Sequence, residues 1–122
     1  GDIVDRGADS RKIYELFFRL AEEASKAGGA VVNLLGNHEL MNIQGDLRYV
    51  AAAEFHDFGG QAARAEAWRP EGWLGRRVRS FPAAAKVGGA LFVHAGLLPQ
   101  LLEEDRGLEA LNRDMAAAVS SN

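Results

Sequence analysis

A chain of 122 residues with a net charge of -3 is long enough for one modest hydrophobic core. The mild negative charge argues against nucleic acid or an anionic membrane surface as the main partner. The absence of cysteine excludes disulfides and thiolate ligands, so any metal ion would have nitrogen and oxygen donors. No apolar run approaches the roughly 20 residues that span a bilayer, and we expect a soluble, intracellular protein.

The first predicted elements are a helix and an apolar strand. Residues 10–27 have apolar side chains at three- and four-residue spacing, which is typical of an amphipathic helix: Ile13, Leu16, Phe17, Leu20, Ala21 and Ala24. Gly28 would end the helix, because glycine readily adopts a left-handed backbone. The run AVVNLLGN, residues 30–37, predicts a buried strand. A strand end, a helix and a second strand would make a βαβ unit with parallel strands.

Glycine-bracketed polar motifs stand at both ends of this unit. They read GDIVDRG at residues 1–7 and GNHE at residues 36–39. In open α/β sheets, ligands bind outside the carboxyl ends of the strands. The crossover would therefore place the two motifs side by side.

The second half of the chain is predicted to contain broken helices and a third strand. Residues 47–79 are rich in alanine and arginine, with breaks at Pro70 and Gly72. A hairpin turn then leads into ALFVHAGL, residues 90–97, and a weaker helix follows at residues 107–119.

Two other features have plainer interpretations. We read His56 as structural or solvent-exposed, because no other candidate site residue stands near it in the sequence. Trp68 and Trp73 are expected to form a local core.

The predicted strand ends carry side chains that suit a metal ion and a phosphate: Asp2, Asp5, Arg6, Asn37, His38, Glu39 and His94. Carboxylate, amide and imidazole donors favour Mn, Fe or Zn, and an arginine fork binds phosphoryl oxygens. A bound metal lowers the pKa of water towards ~7, and a nearby histidine can protonate a leaving group. Taken singly, these residues could be a surface ion pair, a turn and a half-buried histidine. Their combination predicts phosphate-ester hydrolysis.

The same motifs resemble those of the calcineurin-like metallophosphoesterases of the phosphoprotein phosphatase type. GDIVDRG and GNHE resemble two signatures of that family, and FVHAGLLP resembles a third, with Ala95 in place of a glycine. The longer run GNHELMNIQGDLRYV, residues 36–50, is similar to the Shewanella-like protein phosphatases. The resemblance covers the chain from Gly1 to about Pro99. It implies an α/β fold, the four-layer α/β/β/α metallophosphoesterase sandwich, incomplete here and with a parallel βαβ core.

The resemblance also implies a role for each site residue. Asp2 would bridge two divalent metal ions (Mn, Fe or Zn), and Asn37 and His94 would bind the second of them. The remaining roles are catalytic: His38 would be the general acid, Asp5 would orient it, and Arg6 would bind the substrate phosphate.

Two ligand motifs of the family have no counterpart in this sequence. The family's Asp-x-His motif would stand before Gly1, and a further histidine ligand would follow His94. We therefore expect residues 1–122 to be an internal fragment of a single phosphoesterase domain, inactive by itself. We expect the parent to be a protein phosphatase that hydrolyses phosphomonoesters with a metal-bridging hydroxide. The alternatives are a small-molecule or dinucleotide phosphoesterase, and a non-catalytic interaction module left by truncation.

Overall fold

The computed structural model describes residues 1–101 and 107–121. Within those residues the chain is mostly helical, with one small sheet. The helices are α1 (Ser10–Lys26), α2 (Asn37–Ile43), α3 (Ala52–Asp57), α4 (Gln61–Trp68), α5 (Gly75–Val78) and α6 (Gly107–Ser120), with a 3-10 turn at Pro99–Leu101. The strands are β1 (Ala84–Val87) and β2 (Ala90–Val93).

The first helix confirms its predicted span but not its predicted buried face. Gly28 follows α1 with a φ of 77°, the left-handed conformation expected at this end. Tyr14 and Phe18 are the large buried side chains of α1. Leu16 and Leu20, which belong to the predicted apolar stripe, are 41% and 37% exposed. The buried face is set by aromatic packing: the rings of Trp68 and Phe81 lie against Tyr14, and Phe81 also lies against Phe18.

The predicted parallel βαβ core is not formed within the part of the chain that the structure describes. Residues 30–36 form no strand. Their one backbone hydrogen bond to a distant described residue runs from Leu35 N to the Pro82 oxygen, 2.9 Å away. A strand requires a ladder of such bonds to a neighbour, and residues 30–36 have no described strand beside them. The strand prediction was therefore wrong for this segment, and the four-layer sandwich stays a prediction.

The sheet is an antiparallel hairpin, as predicted for the turn before the third apolar run. Ala84 pairs with Val93 and Val87 pairs with Ala90. Helix α6 is attached to this hairpin through Asn112, whose Oδ1 accepts the backbone N–H of Ala84 at 3.2 Å.

The hydrophobic core anchors both polar motifs. Its buried members are Val4, Tyr14, Phe18, Leu35, Ile43, Phe58, Ala67, Trp68, Leu74, Val78 and Val119. Val4 belongs to GDIVDRG, and Leu35 directly precedes GNHE, so one core fixes both motifs. The predicted local core of tryptophans forms only in part: Trp68 is buried, whereas Trp73 is 38% exposed, although its ring packs against Phe18 and Phe58. His56 is solvent-exposed.

No helix in the described residues is both long and apolar enough to cross a membrane. The intracellular location expected from the sequence stays a prediction.

Candidate functional site

Glu39 holds the first loop of the chain against the start of α2. Its side chain is fully buried, and one oxygen accepts the backbone N–H groups of Asp2 at 2.7 Å and Gly36 at 2.9 Å. The other oxygen accepts the N–H of Ile3 at 2.8 Å and the hydroxyl of Tyr14 at 2.9 Å. Burial, and next the charge of Glu39, raise the pKa of the Tyr14 hydroxyl. Tyr14 therefore remains a proton donor to Glu39 at neutral pH.

The loop held by Glu39 has an unusual backbone. Asp2, Asp5 and Arg6 have φ angles of 59°, 76° and 61°, a left-handed region that non-glycine residues rarely adopt. Each such conformation costs about 1–3 kcal/mol, and such residues persist only where neighbouring contacts determine them. Gly36 permits the required approach: a Cβ there would lie 2.5 Å from both the Asp2 nitrogen and Oε2 of Glu39.

Three potential metal donors converge beside this loop. The Nε2 atom of His94, just after β2, lies 3.1 Å from Oδ2 of Asp2. It also lies 3.2 Å from Oδ1 of Asn37, the first residue of α2. Ligand atoms about 2.1 Å from a shared ion stand roughly 3 Å apart, so this spacing fits one divalent ion. The chemistry of the set, one carboxylate, one amide oxygen and one imidazole, fits Mn, Fe or Zn.

The amide is needed to complete this set. The described part of the chain contains no group of three or more histidine, aspartate or glutamate side chains that could hold a metal ion. Asp2 and His94 provide only two donors of those types, and Asn37 supplies the third. With the amide included, the cluster of Asp2, Asn37 and His94 reaches three donors.

A buried histidine–carboxylate pair lies next to the metal donors. Nδ1 of His38 is 2.6 Å from Oδ2 of Asp5, and their side chains are 10% and 1% exposed. An ionised carboxylate only accepts hydrogen bonds, so Nδ1 of His38 carries a proton and donates it to Asp5. Nε2 of His38 is then the ring nitrogen left to exchange a proton with a substrate. The backbone N–H of His38 donates to Oδ1 of Asp2 at 3.0 Å, which links the pair to the metal donors.

Tyr49 joins Arg6 to this pair. The guanidinium of Arg6 lies 5.2 Å from the centre of the Tyr49 ring, and the ring of His38 packs 5.2 Å from the same ring. Arg6 is exposed, and it forms no ion pair with any residue in the described ranges. Its side chain is therefore free to bind an anion beside His38.

The seven residues listed from the sequence thus lie in one region of the molecule, where Glu39 supports the loop and both of its oxygens already accept hydrogen bonds. The predicted adjacency of GDIVDRG and GNHE is confirmed, and in the part of the chain that the structure describes it rests on hydrogen bonds to Glu39 and on the shared core, without a βαβ crossover.

Several structural partners were missed at the sequence level. Asn42, Glu54 and Arg64 form a buried network behind Asp5, and Tyr49 packs on His38. A signal existed for Asn42, because residues four apart share one face of a helix and it stands four after His38. No signal existed for Arg64, since a buried arginine looks like a surface arginine in a sequence.

Comparison with known proteins identifies the family. Residues 1–119 match the calcineurin-like phosphoesterase family. The chain belongs to this family. The resemblance drawn from the motifs is therefore confirmed, and with it the metallophosphoesterase fold.

Named relatives of this calcineurin-like phosphoesterase chain are phosphatases. Shewanella-like protein phosphatase 2 of Arabidopsis thaliana is 30% identical over 163 residues, covering 98% of this chain and 41% of the relative. Shewanella-like protein phosphatase 1 of Plasmodium berghei is 35% identical over 125 residues, covering 100% of this chain and 34% of the relative. The crystal structure of a cold-active protein-tyrosine phosphatase of a psychrophilic Shewanella species superimposes with a TM-score of 0.80 at 29% identity. It covers 98% of this chain and 36% of that one. The chain thus spans less than half the length of these relatives.

Proposed function

We propose that this chain is part of a metal-dependent enzyme that hydrolyses phosphomonoesters. The observation that carries the proposal is that two groups of residues with different chemistry touch each other. The Asp5–His38 pair can move a proton, the cluster of Asp2, Asn37 and His94 can hold a cation, and Asp2 touches the backbone of His38 at 3.0 Å. A free arginine stands beside them, as an anionic substrate requires.

The proposed catalytic and phosphate-binding residues each have a distinct role. Arg6 binds the phosphate through two parallel N–H groups of its guanidinium. His38 donates a proton from Nε2 to the leaving oxygen, and Asp5 keeps the ring in the required tautomer and orientation.

The metal site is proposed to hold divalent ions. Asn37 and His94 would bind one ion, and Asp2 would be shared with a second; Mn, Fe and Zn suit these donors. When bound, such ions supply an activated water and offset the charge of the phosphate.

We further propose that the 122 residues are an internal part of a single phosphoesterase domain. The cluster of Asp2, Asn37 and His94 offers three donors, whereas two ions need more. The two-stranded sheet supports the same proposal, because several of its apolar side chains are exposed, with Val87 at 58% and Phe92 at 51%. The 122-residue segment by itself is expected to show little or no turnover.

The proposed substrate class is phosphoproteins. Its support is that the named relatives above are protein phosphatases and a protein-tyrosine phosphatase.

The test is phosphate release by the full-length protein with added Mn²⁺, measured on phosphoserine and phosphotyrosine peptides and on p-nitrophenyl phosphate. The Asp2→Asn and Arg6→Ala variants are expected to abolish or strongly reduce turnover. His38→Ala is expected to lower kcat on the peptides by about 100-fold or more, the usual contribution of a general acid. His56→Ala is the matched control, because His56 is exposed and outside the site.

Turnover on p-nitrophenyl phosphate without turnover on either peptide would overturn the phosphoprotein assignment. No hydrolysis of any substrate with Mn²⁺, Fe²⁺ or Zn²⁺ would overturn the enzyme proposal, and would favour the non-catalytic interaction module.

A further inference from the structure

A chain of buried hydrogen bonds continues from Asp5 into the interior, away from His38. Oδ1 of Asp5 accepts a hydrogen bond from Nδ2 of Asn42 at 3.0 Å. Oδ1 of Asn42 in turn accepts a hydrogen bond from a guanidinium N–H of Arg64 at 2.7 Å. Nδ2 of Asn42 also donates to the backbone oxygen of His38 at 3.0 Å. Asn42 and Arg64 are 5% and 2% exposed. The Asp5–His38 pair therefore has a polar support that solvent scarcely reaches.

The guanidinium of Arg64 is held by hydrogen bonds from its nitrogen atoms and by aromatic rings near its plane. Its Nε donates to Oε1 of Glu54 at 2.7 Å, and the other oxygen of Glu54 accepts the Ser10 hydroxyl at 2.6 Å. The guanidinium also lies 5.3–5.7 Å from the centres of three aromatic rings, those of Phe55, Phe58 and Trp68. Because an unpaired buried charge is costly, the ion pair with Glu54 locks Arg64 in one position.

The donor and acceptor chemistry of this chain permits only one orientation of Asn42. An arginine can only donate hydrogen bonds, and an ionised carboxylate can only accept them. Asn42 lies between the two, so its oxygen must face Arg64 and its NH₂ group must face Asp5. With Oδ1 of Asp5 so occupied, Oδ2 is the oxygen presented to His38.

We propose that Asn42 and Arg64 are positioning residues that hold the Asp5–His38 pair in the geometry needed for proton donation. This inference rests on the proposed function, in which His38 protonates the leaving group. Rotation about the last bond of an aspartate side chain is broad and weakly restrained, so Asp5 needs a second contact to fix its oxygens. Small displacements of a catalytic group cost a large share of the rate.

The test compares two substrates that differ in their need for a proton. Nitrophenolate leaves readily without one, whereas phenolate does not. In the full-length protein with Mn²⁺, Asn42→Asp keeps the acceptor for Arg64 and the side-chain volume, but it sets a carboxylate against Asp5. We expect kcat on phenyl phosphate to fall about tenfold more than kcat on p-nitrophenyl phosphate, with KM changed less than about twofold.

The matched control is Asn112→Asp. Asn112 also makes three hydrogen bonds, two as acceptor from Ala83 and Ala84 and one as donor to the Ala84 oxygen, and none of them reaches the site. We expect this control to change kcat on the two substrates by equal factors. Asn42→Ala gives a second test of the same comparison, should Asn42→Asp fail to fold as judged by circular dichroism.

Equal losses on both substrates for the Asn42 variants, as in the control, would overturn the positioning role. If the unmodified protein hydrolyses neither substrate, the proposed function fails, and the positioning role is tested by NMR at one fixed pH. The resonance of the proton on Nδ1 of His38 is then expected in the unmodified protein and in Asn112→Asp. It should be shifted or lost in Asn42→Asp and Asn42→Ala; an unchanged resonance in those variants would overturn the inference.

Discussion

Glu39 connects residues that are far apart in the sequence but must meet at the site. Its carboxylate accepts hydrogen bonds from the backbone of Asp2 and Ile3, which are 37 and 36 positions away. Asp2 also has a left-handed backbone, and Glu39 is the contact that keeps it there. Glu39 therefore contributes to the site by holding its loop and need not touch a substrate.

Replacing Glu39 with glutamine tests this role at the level of one residue. Glutamine offers one accepting oxygen, and its NH₂ group would face backbone donors that then have no partner. We expect Glu39→Gln to lower the free energy of unfolding of the full-length protein by about 2–4 kcal/mol. The measurement is the shift of the urea unfolding midpoint.

Glu15→Gln is the control for this substitution. Glu15 pairs with Arg11 on the surface, with side chains 51% and 41% exposed, so its loss should cost less than about 1 kcal/mol. Similar shifts for Glu39→Gln and Glu15→Gln would contradict the holding role of Glu39.

Residues that carry chemistry in a short motif could be predicted, whereas their buried supports could not. Asp2, Asn37 and His94 were expected to lie together, and they do. Arg64 comes from a later helix and reaches the site only through the tertiary packing of α4 against α2 and α3. No local pattern in the sequence encodes that contact.

At the scale of elements, Gly36 controls how closely the first loop approaches α2. Its φ of -103° and ψ of 169° are extended backbone values that any residue can adopt. The restriction is steric: a Cβ there would meet the Asp2 backbone and the Glu39 carboxylate.

We expect Gly36→Ala to push this loop away from α2 and to lower the free energy of unfolding by about 1–3 kcal/mol, the usual range for overpacking. The measurement is again urea unfolding of the full-length protein. Gly89→Ala is the control, because a Cβ at Gly89 has no atom within 4 Å, and it should change stability by less than about 0.5 kcal/mol. Equal effects of the two substitutions would show that Gly36 is not a point of close approach.

Elements were predictable where their signals are local. Helix α1 has a repeating apolar pattern and a glycine at its end, and its span was predicted almost to the residue. Residues 30–36 have the composition of a strand, but a strand forms only beside a partner, and among the described residues none pairs with them. The buried face of α1 was also misjudged, because it depends on aromatic residues contributed by later parts of the chain.

At the scale of the whole molecule, one core holds three separate parts of the chain so that their polar ends meet. The loop before α1, the start of α2 and the end of β2 each supply one donor to the metal cluster. The proposed activity depends on the binding of a divalent ion by this cluster.

The most direct test is a calorimetric titration of Mn²⁺ into the metal-free full-length protein. We expect His94→Ala to weaken the affinity for one ion by at least about 100-fold. Loss of a residue that only hydrogen-bonds to a ligand lowers metal affinity by about 10- to 100-fold, and His94 is itself a proposed ligand. His56→Ala, the matched histidine outside the site, should bind Mn²⁺ like the unmodified protein. Equal affinities for His94→Ala and His56→Ala would show that His94 is not a metal ligand.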